Sequence, residues 1–292
     1  EIAQCLVGSE MCIRDSAWSA SDAKRDEGLA YPDNVIQIKN LDYKKAIDVK
    51  KWNESFQRED NERIIYYNEP DDASNLDSER YASNSLFDIY YPAEPDAQTT
   101  YPVIVSVHGG GWFYGDKELY SYYCCHLASK GFAVVNFNYR LAPQNKYPAA
   151  IEDVAYIIHY IHENAEMLHL DTEKFYMLGD SAGAQLTANY CIIAENAAYR
   201  NKLDFFTYDR LPKAVCLNCG AYEMDKREDN ISDWYMKKED GSIDRSVQSW
   251  GTASMMLRGA EERGKKEIAW QFLKWWESSE VPVSYTHLRA HE

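Results

Sequence analysis

Between Leu86 and Cys219, short and nearly unbroken apolar runs alternate with longer stretches whose apolar residues return every three or four positions. The runs Leu86–Tyr91, Tyr101–Val107, Phe132–Asn138, Lys174–Leu178 and Lys213–Cys219 have strand length and are dense in Val, Ile, Tyr and Phe. The spacing between them predicts helices over Lys117–Lys130, closed by Gly131, and over Ser181 to about Ala198. A third helix opens at Pro148 and carries Ile151, Val154, Ile157, Ile158 and Ile161. Strands this apolar are covered on both faces, and strand–helix alternation builds a mainly parallel sheet. The fold class expected is α/β, with helices on both faces of that sheet.

The flanks read differently. Residues 43–58 predict a helix with Ile47, Val49, Trp52 and Phe56 inward, and the polar stretch 68–85 reads as loop. After Trp234 the chain becomes polar and weakly patterned through Ser249. A helix follows from Gly264 to Glu280, carrying Ile268, Trp270, Phe272, Leu273, Trp275 and Trp276. Residues 1–16 and 284–292 resemble translated linker sequence at the ends of assembled fragments, and both are set aside as non-native tails.

Composition narrows the function classes. The chain has 292 residues, enough for one large α/β domain, and a formal net charge of −16 argues against a nucleic-acid-binding surface. No apolar run reaches membrane-span length, residue 1 is Glu, and no signal peptide opens the chain. The seven Cys have no framework spacing. Cys216 and Cys219 form a lone C-x-x-C inside an apolar run, where core packing outweighs metal or redox work. A reducing, cytoplasmic location is the default expectation.

Two glycine-rich segments carry candidate chemistry, each directly after a predicted strand. Gly179-Asp-Ser-Ala-Gly183 has the form G-x-S-x-G, in which small flanking residues permit a sharp strand-to-helix turn that exposes the serine hydroxyl. Such a motif arises by chance in roughly one chain in twenty of this length, so its position between a strand and a helix is what makes Ser181 a candidate nucleophile. His108-Gly-Gly-Gly-Trp112 can turn backbone amides toward a developing oxyanion, where one donor contributes about 3–4 kcal/mol. The bland alternative for it is a flexible glycine turn.

In order, His108-Gly-Gly-Gly-Trp112, Tyr139-Arg-Leu-Ala-Pro143, Pro148-Ala-Ala-Ile-Glu-Asp153 and Gly179-Asp-Ser-Ala-Gly183 resemble the hormone-sensitive-lipase-like carboxylesterases, over about residues 84–225. The resemblance implies an α/β-hydrolase fold and hydrolysis of short-chain acyl esters, with a small acyl ester as partner and no cofactor or metal. It implies Ser181 as nucleophile, with Gly110, Gly111 and Ala182 as oxyanion-hole donors. It implies structural roles for His108, Tyr139, Arg140, Glu152 and Asp153, and a helical cap from residues 17–60. His159 and His162 are expected on an exposed helix face.

In this fold the triad runs Ser, then Asp or Glu, then His along the chain. His126, His159, His162 and His169 precede Ser181, while His287 and His291 lie in the set-aside tail. Asp225, Asp233, Asp240 and Asp244 follow Ser181 with no strand to present them. The expectation is an esterase lacking its C-terminal strands, with impaired turnover. Ser249-Trp-Gly-Thr-Ala-Ser-Met-Met256 and Ala269-Trp-Gln-Phe-Leu-Lys-Trp-Trp276 resemble the end of extracellular solute-binding proteins of ABC transporters. That resemblance implies a chimera joined between Glu223 and Val247, and a ligand-binding fragment as the alternative function. A peptidase or formamidase on the hydrolase fold is a third reading. The organisation expected is an α/β-hydrolase domain at 17–235 and a foreign helical segment at 236–283, between the tails 1–16 and 284–292. Oligomeric state is not readable from the sequence.

Overall fold

The computed structural model describes residues 28–56, 63–68, 85–96, 98–220 and 222. The tails, the segment 236–283, and Asp225, Asp233, Asp240, Asp244, His287 and His291 lie outside the described residues.

Seven strands among the described residues form one sheet: β1 (Ile36–Asp42), β2 (Ile64–Tyr66), β3 (Leu86–Tyr91), β4 (Tyr101–Val107), β5 (Ala133–Phe137), β6 (Leu170–Asp180) and β7 (Ala214–Asn218). Their order is β2-β1-β3-β5-β4-β6-β7. Only β3 runs against its neighbours; β1–β2, β4–β5, β4–β6 and β6–β7 pair in parallel. The helices are α1 (Val49–Ser55), α2 (Ser121–Ala128), α3 (Ala149–Glu163), α4 (Ala182–Glu195) and the short α5 (Ala197–Arg200). A 3₁₀ turn, Lys117–Tyr120, leads into α2.

Strand pleating divides the apolar runs between two cores. Val103, Val105 and Val107 of β4, Ala133, Val135 and Phe137 of β5, and Phe175 and Met177 of β6 share one core with Ile151, Val154, Ile157 and Ile158 of α3 and Leu186 and Tyr190 of α4. Ile104, Val134 and Leu178 point the other way, into a second core with Tyr123, Cys124, Cys125 and Leu127 of α2. Both faces of the sheet are therefore covered, as the unbroken apolar runs require.

The five predicted strands are all present; β6 is longer than expected because its polar start, Leu170 to Lys174, also joins the sheet beside Tyr101 and Pro102. The helix predicted from Lys117 begins as a 3₁₀ turn, whose first N–H groups are met from outside: Asn138 Oδ1 accepts the Lys117 N–H at 2.7 Å and the Asp116 carboxylate accepts the Glu118 N–H. Upstream the pattern misled more. Residues 36–42 and 64–66 are strands that the sequence did not reveal, and of the helix predicted over 43–58 the described residues form only α1. Asp48 caps α1 by accepting the Lys51 N–H, and Val49, expected inward, is half exposed. Trp52 does enter the core.

Candidate active site

The parallel register brings the two glycine-rich segments together. Val107 lies beside Gly179, and Asp180 beside Asn218, at the C-terminal ends of β4, β6 and β7. Ligand sites of open α/β sheets form at this edge.

Ser181 sits between β6 and α4 with φ +51° and ψ −115°, a backbone state that L-residues rarely adopt. The turn is held from both sides: the Ser181 N–H donates to Asn218 O at 2.8 Å, and Ser181 O accepts from the Gln185 N–H at 3.2 Å. Gly183 is required by contact. A β-carbon there would stand 2.1 Å from Val107 O and 2.4 Å from His108 O, so the first turn of α4 lies directly on the end of β4. Among the described residues no side chain hydrogen-bonds the Ser181 hydroxyl.

The segment His108–Trp112 folds into a tight turn beside this elbow. Gly110 O accepts the N–H groups of Phe113 and Tyr114, at 3.2 and 3.0 Å. Gly110 has φ +115°, and a β-carbon there would fall 2.0 Å from Tyr114 O, so no other residue fits. Trp112 is buried and donates its indole N–H to Gln185 Oε1 of α4 at 3.3 Å, pinning the loop to the helix that Ser181 begins. Gly110, Gly111 and Ser181 remain partly open to solvent, and Ala182 is buried beneath them. Among the described residues the N–H groups of Gly110, Gly111 and Ala182 have no acceptor.

His108 is fully buried and stacks on Tyr139, ring centroids 4.1 Å apart. Its Nδ1 lies 2.7 Å from Gly109 O; a carbonyl only accepts, so Nδ1 carries the proton. Burial pushes its pKa down to about 4, against the smaller opposing effect of that bond. The Tyr139 hydroxyl in turn donates to His108 O at 3.0 Å. His108 is thus a neutral buttress under the loop. Arg140 joins two acids of α3, its Nη2 2.6 Å from Glu152 Oε2 and its Nε 2.8 Å from Asp153 Oδ2. His159 and His162, expected on an exposed face, are instead half buried. Phe206 and Tyr208 cross α3 there, and His162 also meets Phe175 edge-on. Cys216 packs in the second core and Cys219 follows β7, both as free thiols. Among the described residues no cluster of His, Cys, Asp or Glu can hold a metal ion, and no helix is long and apolar enough to cross a membrane.

Asp180 was not singled out by the sequence. It is buried, and its carboxylate accepts from the Tyr120 hydroxyl at 2.8 Å and from Asn218 Nδ2 at 2.6 Å. No local signal announces it, because its partners come from the 3₁₀ turn and from β7.

The sheet order, with a strained serine after β6 and a glycine loop after β4, defines an α/β-hydrolase fold. The chain belongs to the BD-FAE family, whose model matches residues 87–257, more than half of it. All four motifs lie inside that match, which also continues past the Glu223–Val247 interval where a chimeric joint was expected.

Among curated proteins the chain is 36% identical over 110 residues to the esterase LipI of Mycobacterium tuberculosis, covering 37% of this chain and 33% of that one. It is 31% identical over 137 residues to an ethyl acetate hydrolase of Pseudomonas putida, covering 46% and 42%. The matched stretch thus spans only about a third to two-fifths of the length of these relatives. Of solved structures, esterase B of Lactobacillus rhamnosis superposes with a TM-score of 0.61 at 22% identity, covering 80% of this chain and 64% of that one. That likeness is one of fold.

Proposed function

We propose that this protein is a serine carboxylesterase of the hormone-sensitive-lipase-like type, acting on short-chain acyl esters. Ser181 is the nucleophile, and the N–H groups of Gly110, Gly111 and Ala182 form the oxyanion hole. The observation that carries this reading is the strained backbone of Ser181, held at a strand–helix junction against which the glycine loop is packed. Strain of this kind costs about 1–3 kcal/mol and persists where surrounding structure enforces it. The named esterase relatives support the same chemistry.

In the reaction, Ser181 Oγ bonds to the ester carbonyl carbon while its proton passes to a base. The carbonyl oxygen takes up the negative charge and is met by the three N–H groups. Collapse breaks the bond to the alcohol, which leaves with a proton. Water then repeats the sequence on the acyl-enzyme and frees the acid and Ser181.

None of the described histidines hydrogen-bonds Ser181, and His287 and His291 lie outside the described residues. Because no apolar run after Ser181 presents an Asp or a His in the sequence, turnover is proposed to be low. An oxyanion hole and binding alone retain roughly 10³–10⁴-fold acceleration over water. The deciding experiment pairs fluorophosphonate labelling with hydrolysis of p-nitrophenyl acetate and butyrate, in the wild type and in Ser181→Ala. Labelling and turnover that vanish in Ser181→Ala support the esterase; activity indifferent to that substitution sinks it. Fast turnover that vanishes in Ser181→Ala keeps the esterase and removes the proposed impairment.

A further inference from the structure

We infer that Asp180 is a positioning residue for the proposed esterase site, a carboxylate clamp that holds the serine turn and the oxyanion loop in mutual register. The inference rests on the esterase reading and names a group which that reading does not use.

Four pieces of chain meet at this carboxylate. Asp180 ends β6 and is the residue immediately before Ser181. Its Oδ1 accepts from Asn218, the last residue of β7, and Asn218 also accepts the Ser181 N–H through its own carbonyl oxygen. Its Oδ2 accepts from the hydroxyl of Tyr120, the last residue of the 3₁₀ turn. A β-carbon on Gly109, the first glycine of the loop, would lie 3.0 Å from that same Oδ2 and 3.3 Å from Ser181 Cβ. Neither Asp180 nor Tyr120 has more than 8% of its surface exposed, so water is not on hand to replace a lost partner.

The 3₁₀ turn is itself anchored, which gives the clamp something to pull against. Lys117 Nζ lies 2.9 Å from Asp88 Oδ1 of β3 and 2.6 Å from Glu118 Oε1. Glu118 Oε2 lies 2.6 Å from Lys39 Nζ of β1. Tyr120 therefore carries the position of the far strands to the serine turn. An oxyanion hole assembled from two separate segments works only while those segments keep their spacing, and misplacement by about 1 Å costs up to 10²-fold.

Three variants test the clamp by the rate of fluorophosphonate capture at Ser181, measured against probe concentration. Tyr120→Phe and Asp180→Ala are expected to lower the limiting capture rate about 10- to 100-fold with little change in half-saturating concentration, because geometry at the reacting atoms matters most in the transition state. Asp180→Asn is expected to stay within about threefold of wild type. Its amide oxygen can accept from Asn218, and its amide N–H can donate to the Tyr120 oxygen.

If Tyr120→Phe and Asp180→Ala are captured at the wild-type rate, the clamp is wrong while the esterase stands. If Asp180→Asn falls as far as Asp180→Ala, the charge of Asp180 rather than its hydrogen-bond geometry matters, and the positioning role is overturned. If Tyr120→Phe only lowers the melting temperature, the contact is structural and the proposal fails. If the wild type itself is neither captured nor able to turn over ester, the esterase reading falls and the clamp's role with it.

Discussion

Ser181 holds a backbone conformation that suits glycine, and Ser181→Gly separates the cost of that strain from its use. The variant is expected to gain about 1 kcal/mol in urea unfolding, as relief of strain exceeds the extra chain entropy of glycine, while losing all probe labelling. A loss of stability would show that the serine is not strained where it stands. His108 makes the opposite kind of contribution. Unfolded, it takes up a proton below pH 6.5; folded, it stays neutral down to about pH 4. Its stabilisation is therefore complete above pH 6.5 and is lost as pH falls from 6.5 toward 4. The loss attributable to this side chain is about 2 kcal/mol at pH 5 and about 3 kcal/mol once pH 4 is passed. His108→Asn cannot titrate, so its unfolding free energy is expected to fall by that much less between pH 7.5 and pH 5. Parallel pH curves for the two proteins would count against a buried neutral imidazole.

Elements are where sequence pattern and structure agree best, and where their disagreements have identifiable causes. The strands β3, β4, β5 and β7 were legible because a strand buried on both faces is an apolar run with nothing else to do. β1 was not, since Gln37, Lys39 and Asn40 give Ile36–Asp42 a mixed pattern. Those polar residues are buried all the same, with Lys39 held by Glu118 from 79 residues away and the Asn40 N–H held by Asp88. β2 is only three residues long and alternates exposed and buried, too little signal for any periodicity. The junction of β4 with α4 gives a test at this scale. In Gly183→Ala, helix propensity favours Ala by about 1 kcal/mol. The added methyl meets backbone oxygens of Val107 and His108, which cannot swing aside, and overpacking of this kind costs about 3 kcal/mol. Sterics are therefore expected to win. Gly183→Ala should unfold at lower urea and label more slowly, and a stabilised variant would mean that the helix sits farther from β4 than it does here.

Among the described residues, two large cores on opposite faces of one sheet, a small cluster of Ala184, Leu217 and Tyr222, and a buried ionic junction between the β1–β3 edge and the 3₁₀ turn hold the fold together. Asp88 is fully buried, 2.9 Å from Lys117 Nζ and 3.6 Å from Lys39 Nζ, and also accepts the Asn40 N–H. Removing one partner of a buried pair leaves an uncompensated charge, so Asp88→Asn is expected to cost about 3–5 kcal/mol in urea unfolding. A change below about 1 kcal/mol would show that water reaches the junction.

The chain by itself determined the alternation of strand and helix, the glycine loop after β4 and the serine turn after β6, because burial periodicity and backbone permissiveness are written in consecutive residues. Tertiary structure alone decided that 36–42 and 64–66 join the sheet, that His159 and His162 lie under Phe206 and Tyr208, and that Asp180 meets Tyr120 from 60 residues away. Each of those depends on which distant segments the packed sheet brings side by side, and a buried polar group shows its purpose only once its partner is in place.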